Sequence, residues 1–339
     1  MAFKENTKEL RVGIIGYGYW GKIYYRILSE LQNVEIKFIC DANKNVKEKI
    51  PLGVAYYDDP EKAIENGGAD KVFIITPALT HKDLIAISIK NNLDTFVEKP
   101  ALINLKDFDY IMKIKNNGTL FYPGNVYAHN DMVKALSNNL SGQKEDIISI
   151  ASNRLSLGPI REDVGCLWDL FPHDLTIFDM LNIGEPTSVS CKGIYPLKSS
   201  QEDTVFCQIQ YSSGLQATVQ LSWIYPIKIR QTIISTNHSF FIFDEFNKEL
   251  PLGVMELSNS FKYMINNIAY NRIPASNYFK KINYTISEPL KNMIISFLEG
   301  RNNEDASQEI SRTRKIIQTI ESALVSLTTD GSSIAIINR

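Results

Sequence analysis

The chain has 339 residues, of which 44% are hydrophobic and 22% are charged, and its formal net charge is −2. This length and composition are typical of a globular protein of roughly two domains with enough apolar material for a core. The charge argues against a nucleic-acid partner and against a membrane surface, and no stretch of about 18 apolar residues predicts a membrane span.

The first predicted strand begins at about residue 10 and leads into a glycine-rich turn, Gly16-Tyr17-Gly18-Tyr19-Trp20-Gly21, which a helix-compatible stretch follows. This order of elements is typical of a turn that binds the pyrophosphate of a dinucleotide. Gly16 allows a sharp turn, Gly18 brings bare backbone to the phosphates, and Gly21 lets the helix lie close on the strand. The helix dipole and the first helical N–H groups then face the phosphates.

Asp41 follows the second predicted strand, Val34 to Cys40, and stands 20 residues beyond Gly21. An acid at this place accepts hydrogen bonds from the adenosine ribose hydroxyls. Because its carboxylate would repel a 2′-phosphate, the sequence favours NAD as the cofactor. Lys44 is close in the sequence and keeps NADP as an alternative.

Strand-like and helix-like segments continue to alternate as far as residue 124. The spacing predicts helices over 45–50, 81–91 and 107–115, and strands over 71–75, 95–97 and 119–122. Such a βαβ rhythm implies α/β architecture with a parallel, doubly wound sheet.

The pattern changes after about residue 125. It predicts helices over 130–139, 167–181, 288–298 and 309–327, and strands over 146–157, 188–194, 205–211, 216–223, 228–235 and 239–243. Consecutive strands without intervening helices indicate a largely antiparallel sheet. The polar segment 245–284 has no readable pattern, and we interpret it as a long excursion over the site.

Cysteine and histidine usage points away from metal chemistry. Four cysteines stand far apart, at positions 40, 166, 191 and 207, in neither a metal-site nor a disulfide pattern, so a cytoplasmic location is expected. His129 and His238 have no carboxylate or cysteine at ligand spacing, so no metal site is expected. The N-terminal residues lack an apolar core, so a signal peptide is not expected.

Glu98-Lys99-Pro100 follows the predicted strand 95–97. Ligands of open α/β sheets bind outside the carboxyl ends of the strands, so a lysine here can point into the crevice beside a cofactor. Pro100 disfavours the α conformation for Lys99 and fixes the bend. The alternative is an ordinary surface lysine in a turn.

A second candidate lies in Trp168-Asp169-Leu170-Phe171-Pro172-His173-Asp174. Asp169 and His173 are four residues apart, close enough to meet across one helical turn. A carboxylate that holds an imidazole in one tautomer is a common way to build a general base. If the helix begins only near residue 173, Asp174 is instead a capping residue and His173 is structural.

Together these segments resemble the Gfo/Idh/MocA family of nicotinamide-dependent sugar dehydrogenases over nearly the whole chain. The resemblance implies an N-terminal Rossmann domain over 1–124 and a C-terminal α+β domain over 125–339, whose open, mostly antiparallel sheet serves substrate binding and oligomerisation. A homo-oligomer, a dimer or tetramer, is expected. Family members oxidise or reduce a carbinol on sugars, cyclitols or nucleotide sugars. The matching segments are the glycine turn, Thr76-Pro77 with His81, Glu98-Lys99-Pro100, and Asp169 with His173-Asp174.

The resemblance also implies roles for individual residues. The catalytic residues are then Lys99, His173 and Asp169. The residues expected to bind NAD are Gly16, Gly18, Tyr19, Trp20, Gly21, Asp41, Thr76, Pro77, His81, Glu98 and Lys99. Those expected to bind substrate are Asn125, Tyr127, Arg154, Trp168 and His173. The alternatives are packing around the turn for Tyr19 and Trp20, a structural helix start for His81, core packing for Trp168 and a surface ion pair for Arg154.

A narrower similarity concerns the substrate. Arg154 to Gly158, Asp163-Val164, Leu167 to Asp174 and Glu288-Pro289-Leu290 resemble a subgroup found with surface-polysaccharide and lipid A assembly. Some of its members are similar to the enzyme that oxidises the 3-hydroxyl of UDP-N-acetylglucosamine before transamination, which implies a pathway aminotransferase as a partner.

Two departures from that subgroup keep other interpretations open. Gly165 stands where the subgroup has Asn, and residues 122–127 differ from the usual Gly-His-Thr-Phe type of strand. Oxidation of a free sugar or cyclitol, of the inositol type, is therefore an alternative. A non-enzymatic NAD-binding sensor is a third interpretation, and it predicts the loss of Lys99 or His173, both of which are present.

Overall fold

The computed structural model describes residues 9–116, 118–142, 146–197, 201–257, 278–300 and 304–336. The chain forms two compact units. The first comprises 1–125 with 290–317, and the second comprises 126–289 with 318–339. In the structure residues 290–317 group with the first unit, whereas the sequence assigned them to the domain over 125–339. The predicted domains over 1–124 and 125–339 and their roles stay predictions.

The first unit is built on a six-stranded parallel sheet with the order β3-β2-β1-β4-β5-β6. This order confirms the doubly wound sheet, and the reversal between β1 and β4 marks the edge at which such sheets bind ligands. The strands are β1 Leu10–Ile15, β2 Val34–Cys40, β3 Ala55–Tyr57, β4 Lys71–Ile74, β5 Asp94–Val97 and β6 Phe121–Pro123.

Helices cover this sheet, and their starts follow local sequence signals. The helices are α1 Tyr19–Ser29, α2 Pro60–Asn66, α3 His81–Lys90 and α4 Leu105–Ile114, with 3₁₀ turns at Lys44–Lys49 and Ala78–Thr80. Asp59 accepts from two backbone N–H groups at the start of α2, and Asn104 accepts from one at the start of α4. Such caps satisfy donors that have no partner within the helix. Strand β3 and helix α2 were not predicted from the sequence, because they are only three and seven residues long.

The second unit contains a nine-stranded sheet with the order β14-β13-β12-β11-β7-β10-β9-β8-β15. Among the pairs described in it, β7 with β10 is parallel and the others are antiparallel, which confirms the predicted, mostly antiparallel sheet. The strands are β7 Ile147–Leu157, β8 Pro186–Ile194, β9 Thr204–Tyr211, β10 Gln216–Ser222, β11 Ile224–Thr236, β12 Ser239–Asp244, β13 Leu252–Glu256, β14 Lys280–Lys281 and β15 Ile334–Ala335.

Two helices of the second unit follow a 3₁₀ turn at Val126–His129. They are α5 Asp131–Leu140 and α6 Cys166–Leu181. The segment 245–284, interpreted as an excursion, contributes β13 to the sheet through pairing with β12, while its residues 258–277 lie outside the described part of the chain. The predicted helix over 167–181 is confirmed as α6, which begins at Cys166, so the alternative of a helix that starts only near residue 173 does not hold.

The closing helices are α7 Pro289–Glu299 and α8 Glu304–Thr328. Phe297 of α7 packs against the aromatic core of the first unit, with ring centroids 5.0 Å from Phe73, 5.7 Å from Phe96 and 5.8 Å from Tyr122. These rings come from β4, β5 and β6. Burial of a large aromatic side chain among them explains why residue 290 onward belongs with the N-terminal sheet.

Candidate active site

The glycine turn of the first unit has the geometry that its sequence predicts. Gly16 has φ +96°, and a Cβ there would lie 2.5 Å from the Ile75 carbonyl oxygen. A Cβ on Gly21 would lie 2.1 Å from the carbonyl oxygen of Gly16. Both positions therefore require glycine, the first for its backbone conformation and the second for the close contact of helix and turn. A Cβ on Gly18 would meet no atom within 4 Å, so the space beside this residue is open.

The start of α1 fits the pyrophosphate of a dinucleotide. Its N-cap is Gly18, which has no side chain to accept from the first N–H groups, and the first turn carries no acidic residue. A bound phosphate would supply both the acceptor and the negative charge that a helix N-terminus favours. Tyr19 and Trp20, the first two helical residues, are 77% and 52% exposed, with their rings edge to face at 5.7 Å. Their part in NAD binding stays a prediction.

Asp41 connects the end of β2 to the glycine turn. Its Oδ2 accepts from the backbone N–H of Tyr17 at 2.7 Å, and its Oδ1 accepts from that of Asn43 at 2.9 Å. A carboxylate has further acceptor sites, so these bonds leave capacity for ribose hydroxyls. Lys44, the residue that kept NADP as an alternative, lies 3.2 Å from Asp58, which offsets its charge.

His81 lies at the start of α3 and is buried, with each ring nitrogen close to a carbonyl oxygen. Nδ1 is 2.9 Å from the oxygen of Pro100, and Nε2 is 2.8 Å from the oxygen of Thr76. A ring with protons on both nitrogens would donate to both carbonyls. The side chain therefore joins the segment after β4 to the turn after β5, which is the structural role given above as the alternative to cofactor binding. Thr76 contacts Thr80, with 2.7 Å between their hydroxyl oxygens.

Lys99 follows β5, and the preceding glutamate fixes its backbone. Glu98 accepts from the Lys99 N–H through Oε2 at 2.8 Å and from the Tyr24 hydroxyl through Oε1 at 2.5 Å. Tyr24 lies in α1 and is fully buried; burial, and then the nearby Glu98 charge, raises the pKa of its phenol well above the ordinary value. The Lys99–Pro100 peptide bond is cis. Helix α1, which follows the glycine turn, thus holds the segment Glu98-Lys99 that carries the candidate catalytic lysine.

Tyr24 was not predicted from the sequence. It is a helical residue within an apolar stretch, and nothing near it in the sequence distinguishes it from a core tyrosine. A tyrosine hydroxyl that is buried needs a hydrogen-bond partner. The sequence could not identify that partner, because Glu98 lies 74 residues away. Glu98, predicted to bind cofactor, has both carboxylate oxygens engaged in positioning Lys99.

In the second unit, His173 and Asp169 lie in α6, one turn apart on the same helix face. The His173 ring packs against the ring of Tyr127, with 5.2 Å between centroids. Asp169 Oδ1 accepts from Arg161 Nη1 at 3.2 Å, and Arg161 also makes two bonds to Asp163, at 2.8 and 2.6 Å. The loop before α6 thus places a cation beside the carboxylate that is predicted to orient His173.

The N-terminus of α6 explains the glycine at position 165. Glu202, from the segment before β9, accepts from the Leu167 N–H through Oε1 at 2.9 Å. A Cβ on Gly165 would lie 2.2 Å from that same oxygen. Glu202 therefore takes the role that the side chain of an N-cap residue usually has, since it accepts from an N–H group in the first turn of α6.

Asp174 is not a capping residue, because it lies within α6 and points into the unit. It forms a buried ion pair with Arg154 of β7, with Nε 2.7 Å from Oδ2, and also accepts from Ser152 at 2.7 Å. Arg154 and Asp174 are 4% and 1% exposed, so the alternative of a surface ion pair is wrong. Burial lowers the pKa of Arg154 and the Asp174 charge more than offsets this, so the guanidinium stays charged.

Arg154 also holds Tyr127. Its Nη1 donates to the Tyr127 hydroxyl at 2.8 Å, and its guanidinium carbon lies 4.7 Å from the centre of that ring. Burial raises the pKa of Tyr127 to about 12, although the nearby Arg154 charge opposes the rise. The ring against His173 is therefore fixed from its far end. Tyr127 and Arg154 were predicted to bind substrate; the structure buries both and brings Tyr127 against His173, and their contact with a substrate stays a prediction.

The other two predicted substrate residues are also buried. Trp168 lies within α6 and is 6% exposed, as its core-packing alternative expects. Asn125 belongs to the first unit, where it donates to Glu309 at 2.7 Å and to Thr313 at 3.0 Å, both in α8. Their contact with a substrate stays a prediction.

The described residues form neither a membrane-spanning helix nor a metal cluster. Among the helices described, none has the length and apolar character that a membrane span requires. Within the same ranges, no group of three or more His, Cys, Asp or Glu side chains is placed to hold a metal ion.

Comparison with known proteins identifies the family. A model described as an oxidoreductase family with an NAD-binding Rossmann fold matches residues 10–121, and a model of the GFO/IDH/MocA C-terminal domain matches residues 152–240. A scyllo-inositol 2-dehydrogenase (NAD(+)) from Bacillus subtilis is 28% identical over 256 residues, which are 69% of this chain and 74% of the relative.

Two solved structures share the fold. UDP-N-acetylglucosamine 3-dehydrogenase GnnA from Acidithiobacillus ferrooxidans has a TM-score of 0.75 at 16% identity, covering 95% of this chain and 98% of its own. WlbA dehydrogenase from Bordetella pertussis, in complex with NADH and UDP-GlcNAcA, has a TM-score of 0.75 at 14% identity, covering 98% and 100%. With the two family models matching more than half of the residues, this chain belongs to the Gfo/Idh/MocA family and is an NAD-dependent oxidoreductase of the sugar or cyclitol type.

Proposed function

We propose that the protein oxidises a ring hydroxyl of a nucleotide sugar to a ketone, at C3 of a sugar of the UDP-N-acetylglucosamine type. The observation that carries the proposal is the position of Lys99, which follows β5 of the NAD-binding sheet and is held by Glu98 and Tyr24. Ligands of such sheets bind at the carboxyl ends of the strands. The ammonium group of a lysine on a turn whose backbone is fixed suits an oxygen that gains negative charge.

NAD, when bound, supplies the acceptor for the hydride that leaves the carbinol carbon. In the proposed mechanism, His173 takes the hydroxyl proton as the general base, so that the carbinol loses a proton and a hydride and becomes a ketone. Lys99 stabilises the negative charge that develops on the oxygen. Asp169 orients the imidazole, and Arg161 steadies the Asp169 carboxylate.

The surroundings of His173 support this role within the second unit. The ring packs on Tyr127, whose hydroxyl accepts from Arg154. Arg154 is in turn paired with Asp174 of the same helix that carries His173. A base held in this way keeps its orientation without help from substrate, and misplacement by a small distance is costly to catalysis.

Two lines support a nucleotide sugar as the substrate. The segments from Arg154 to Asp174 resemble the subgroup that acts before transamination, and two of the structures that share the fold are named for UDP-sugar chemistry or hold such a ligand. The ketone would then be consumed by an aminotransferase, in amino-sugar synthesis for surface polysaccharide or lipid A. A cytoplasmic homo-oligomer is part of the same proposal.

A second candidate function is oxidation of a cyclitol. The 28% identity to the scyllo-inositol 2-dehydrogenase, over 69% of this chain, favours it. The same residues would serve both reactions, because each removes a proton and a hydride from a ring carbinol.

The test is turnover by the purified protein with NAD and a panel of substrates. The panel contains UDP-N-acetylglucosamine, other nucleotide sugars, myo- and scyllo-inositol and free hexoses, and the absorbance of reduced nicotinamide follows the reaction. An aminotransferase with an amino donor removes the ketone, since that equilibrium is unfavourable. Turnover of nucleotide sugars, with the ketone located at C3 by reduction with borodeuteride and mass spectrometry, is the expected result. Turnover of inositols alone would establish the second candidate instead.

A further inference from the structure

An exposed aromatic ring lies beside two cations in the second unit. Phe246, in the turn after β12, is 45% exposed. Lys228 Nζ lies 4.9 Å from the centre of its ring, and the guanidinium carbon of Arg230 lies 5.7 Å from it. Both distances are within the range of cation–π attraction. The exposed part of this apolar ring is available to a ligand, which would meet positive charge over the ring.

The charges around the ring cancel in sum but are not evenly paired. Arg230 pairs with Glu245 at 3.0 Å, and Asp244 accepts from the side-chain amide of Gln231 at 2.8 Å. Lys228, Arg230, Asp244 and Glu245 together carry no net charge, and Lys248 and Glu249, which follow in the turn, also cancel. Among the described residues Lys228 makes no ion pair, so its ammonium group is the one that would meet an anion.

The turn that carries the ring is fixed by its own hydrogen bonds. Oδ1 of Asp244 accepts from the N–H of Phe246 at 3.1 Å and from that of Asn247 at 3.2 Å, while the Glu245 N–H donates to the Arg230 carbonyl at 3.1 Å. The backbone that carries the ring is thus in place before a ligand arrives. A site prepared in this way loses less conformational entropy on binding.

The cluster lies on the same side of the sheet as the environment of His173. Arg230 of β11 is the cross-strand partner of Arg154 in β7, so their side chains share a face. Arg154 bonds the hydroxyl of Tyr127, and the Tyr127 ring contacts His173. Glu245 pairs with Arg230 at 3.0 Å. The pairing of Arg230 with Arg154 thus places the cations on the sheet face that carries the Arg154–Tyr127 contact.

We propose that Lys228, Arg230 and Phe246 bind the nucleoside diphosphate part of the substrate, the cations contacting the phosphates and the ring stacking on the base. This inference rests on the proposed function and names the residues that would select a nucleotide sugar. Arg and Lys are the usual partners of phosphate, and bases stack on aromatic side chains whatever their sequence. A cyclitol has neither phosphate nor base, so it would gain nothing from these residues.

The experiment measures UDP binding to the NAD-bound protein by titration calorimetry, without turnover. Phe246→Ala and Lys228→Ala are each expected to weaken UDP about tenfold, which corresponds to the loss of one base stack or one phosphate contact. Phe246→Tyr, which keeps a ring, should bind UDP as the wild type does. Uridine and inorganic pyrophosphate separate the two halves: Phe246→Ala should act on uridine, and Lys228→Ala on pyrophosphate.

The matched control is Lys280→Ala, which removes another exposed lysine of the same sheet, one that pairs with Glu256. It should leave UDP affinity unchanged. UDP binding by Phe246→Ala and Lys228→Ala at wild-type affinity overturns the inference, as does a wild type that does not bind UDP. If wild-type protein turns over nucleotide sugars while both variants keep its KM, the proposed function stands and this site is wrong. If the variants lose UDP but the wild type oxidises only cyclitols, the site stands and the proposed function is wrong.

Discussion

The hydroxyl of Tyr24 in α1 donates to Glu98 at 2.5 Å, and the other oxygen of that carboxylate accepts from the N–H of Lys99. One buried tyrosine therefore links helix α1, which follows the glycine turn, to the lysine that is proposed to stabilise the reacting oxygen. The contact joins cofactor binding and catalysis within one unit, and removal of a single oxygen atom abolishes it.

Tyr24→Phe removes this hydrogen bond and leaves the ring in the core. We expect kcat to fall several-fold with NAD affinity nearly unchanged, because the Glu98 carboxylate loses a partner and the backbone of Lys99 loses its fixed position. Loss of a bond to a buried charged group also lowers the free energy of unfolding by about 1–3 kcal/mol. Steady-state kinetics and denaturant unfolding measure the two effects. Tyr25→Phe, one residue along the same helix, is the control, and an equal loss of kcat there would contradict the positioning role.

Lys99→Met keeps the stem of the side chain and removes its charge. If the ammonium stabilises the developing oxyanion, kcat should fall by about 10²–10³, as for the loss of one electrostatic contact to a transition state. The affinity for NAD, measured by fluorescence titration, should change little. Lys106→Met, at an exposed position of α4, is the control. Retention of near wild-type kcat in Lys99→Met would rule out this role.

His173→Ala removes the proposed base. Loss of a positioned general base typically costs about 10²–10⁴ in rate, so kcat should fall by that factor while NAD affinity and the thermal midpoint stay close to wild type. His238→Ala, at an exposed histidine near Asp146, should keep full activity. The assignment fails if His173→Ala turns over at a rate comparable with this control.

Asp41→Asn replaces one acceptor by a donor, so one of the two N–H groups of Tyr17 and Asn43 loses its partner. We expect the KM for NAD to rise about tenfold, as expected when a buried donor loses its acceptor, and the preference over NADP to narrow because the repelling charge is gone. Asp58→Asn is the comparison variant. It removes a neighbouring charge from a residue that pairs with Lys44 and does not accept from the Tyr17 N–H. An equal effect of both variants would attribute the result to charge alone rather than to the geometry of the turn.

Glu202 predicts a dependence of stability on pH. Burial raises the pKa of this carboxyl above its ordinary value of 4.5, although the Leu167 N–H bond opposes the rise. A raised folded-state pKa contributes stability that is complete below the unfolded-state pKa and is lost as the pH rises through the folded-state value. Glu202→Gln can still accept from Leu167 but does not titrate. Its free energy of unfolding relative to wild type should therefore increase from acidic to neutral pH.

Urea unfolding of both proteins at a series of pH values measures this difference. Glu162→Gln changes an exposed glutamate shortly before α6 and provides the control, for which the difference should stay constant with pH. A constant difference for Glu202→Gln as well would contradict the effect of burial on its carboxyl.

Local patterns in the sequence were sufficient for most of the elements. The glycine turn was predicted because the positive φ of Gly16 and the close contact of Gly21 with Gly16 are local features; the approach of Gly16 to the Ile75 carbonyl oxygen comes from the fold. Strand β2 has the predicted bounds, Val34–Cys40, because a run of apolar and β-branched residues identifies a buried strand by itself. The segment Leu252–Glu256 was missed, since five residues including a glycine carry too weak a pattern.

The sequence by itself determined a doubly wound NAD-binding sheet, a second sheet of mostly antiparallel strands, and the candidates Lys99 and His173. Only the tertiary structure decided that Tyr24 holds Glu98, that Arg154 is buried against Asp174, and that Phe297 belongs to the core of the first unit. The physical reason is separation along the chain. Periodicity and turn chemistry act over a few residues, whereas a buried hydroxyl, charge or ring is satisfied by whichever distant group the fold brings within reach.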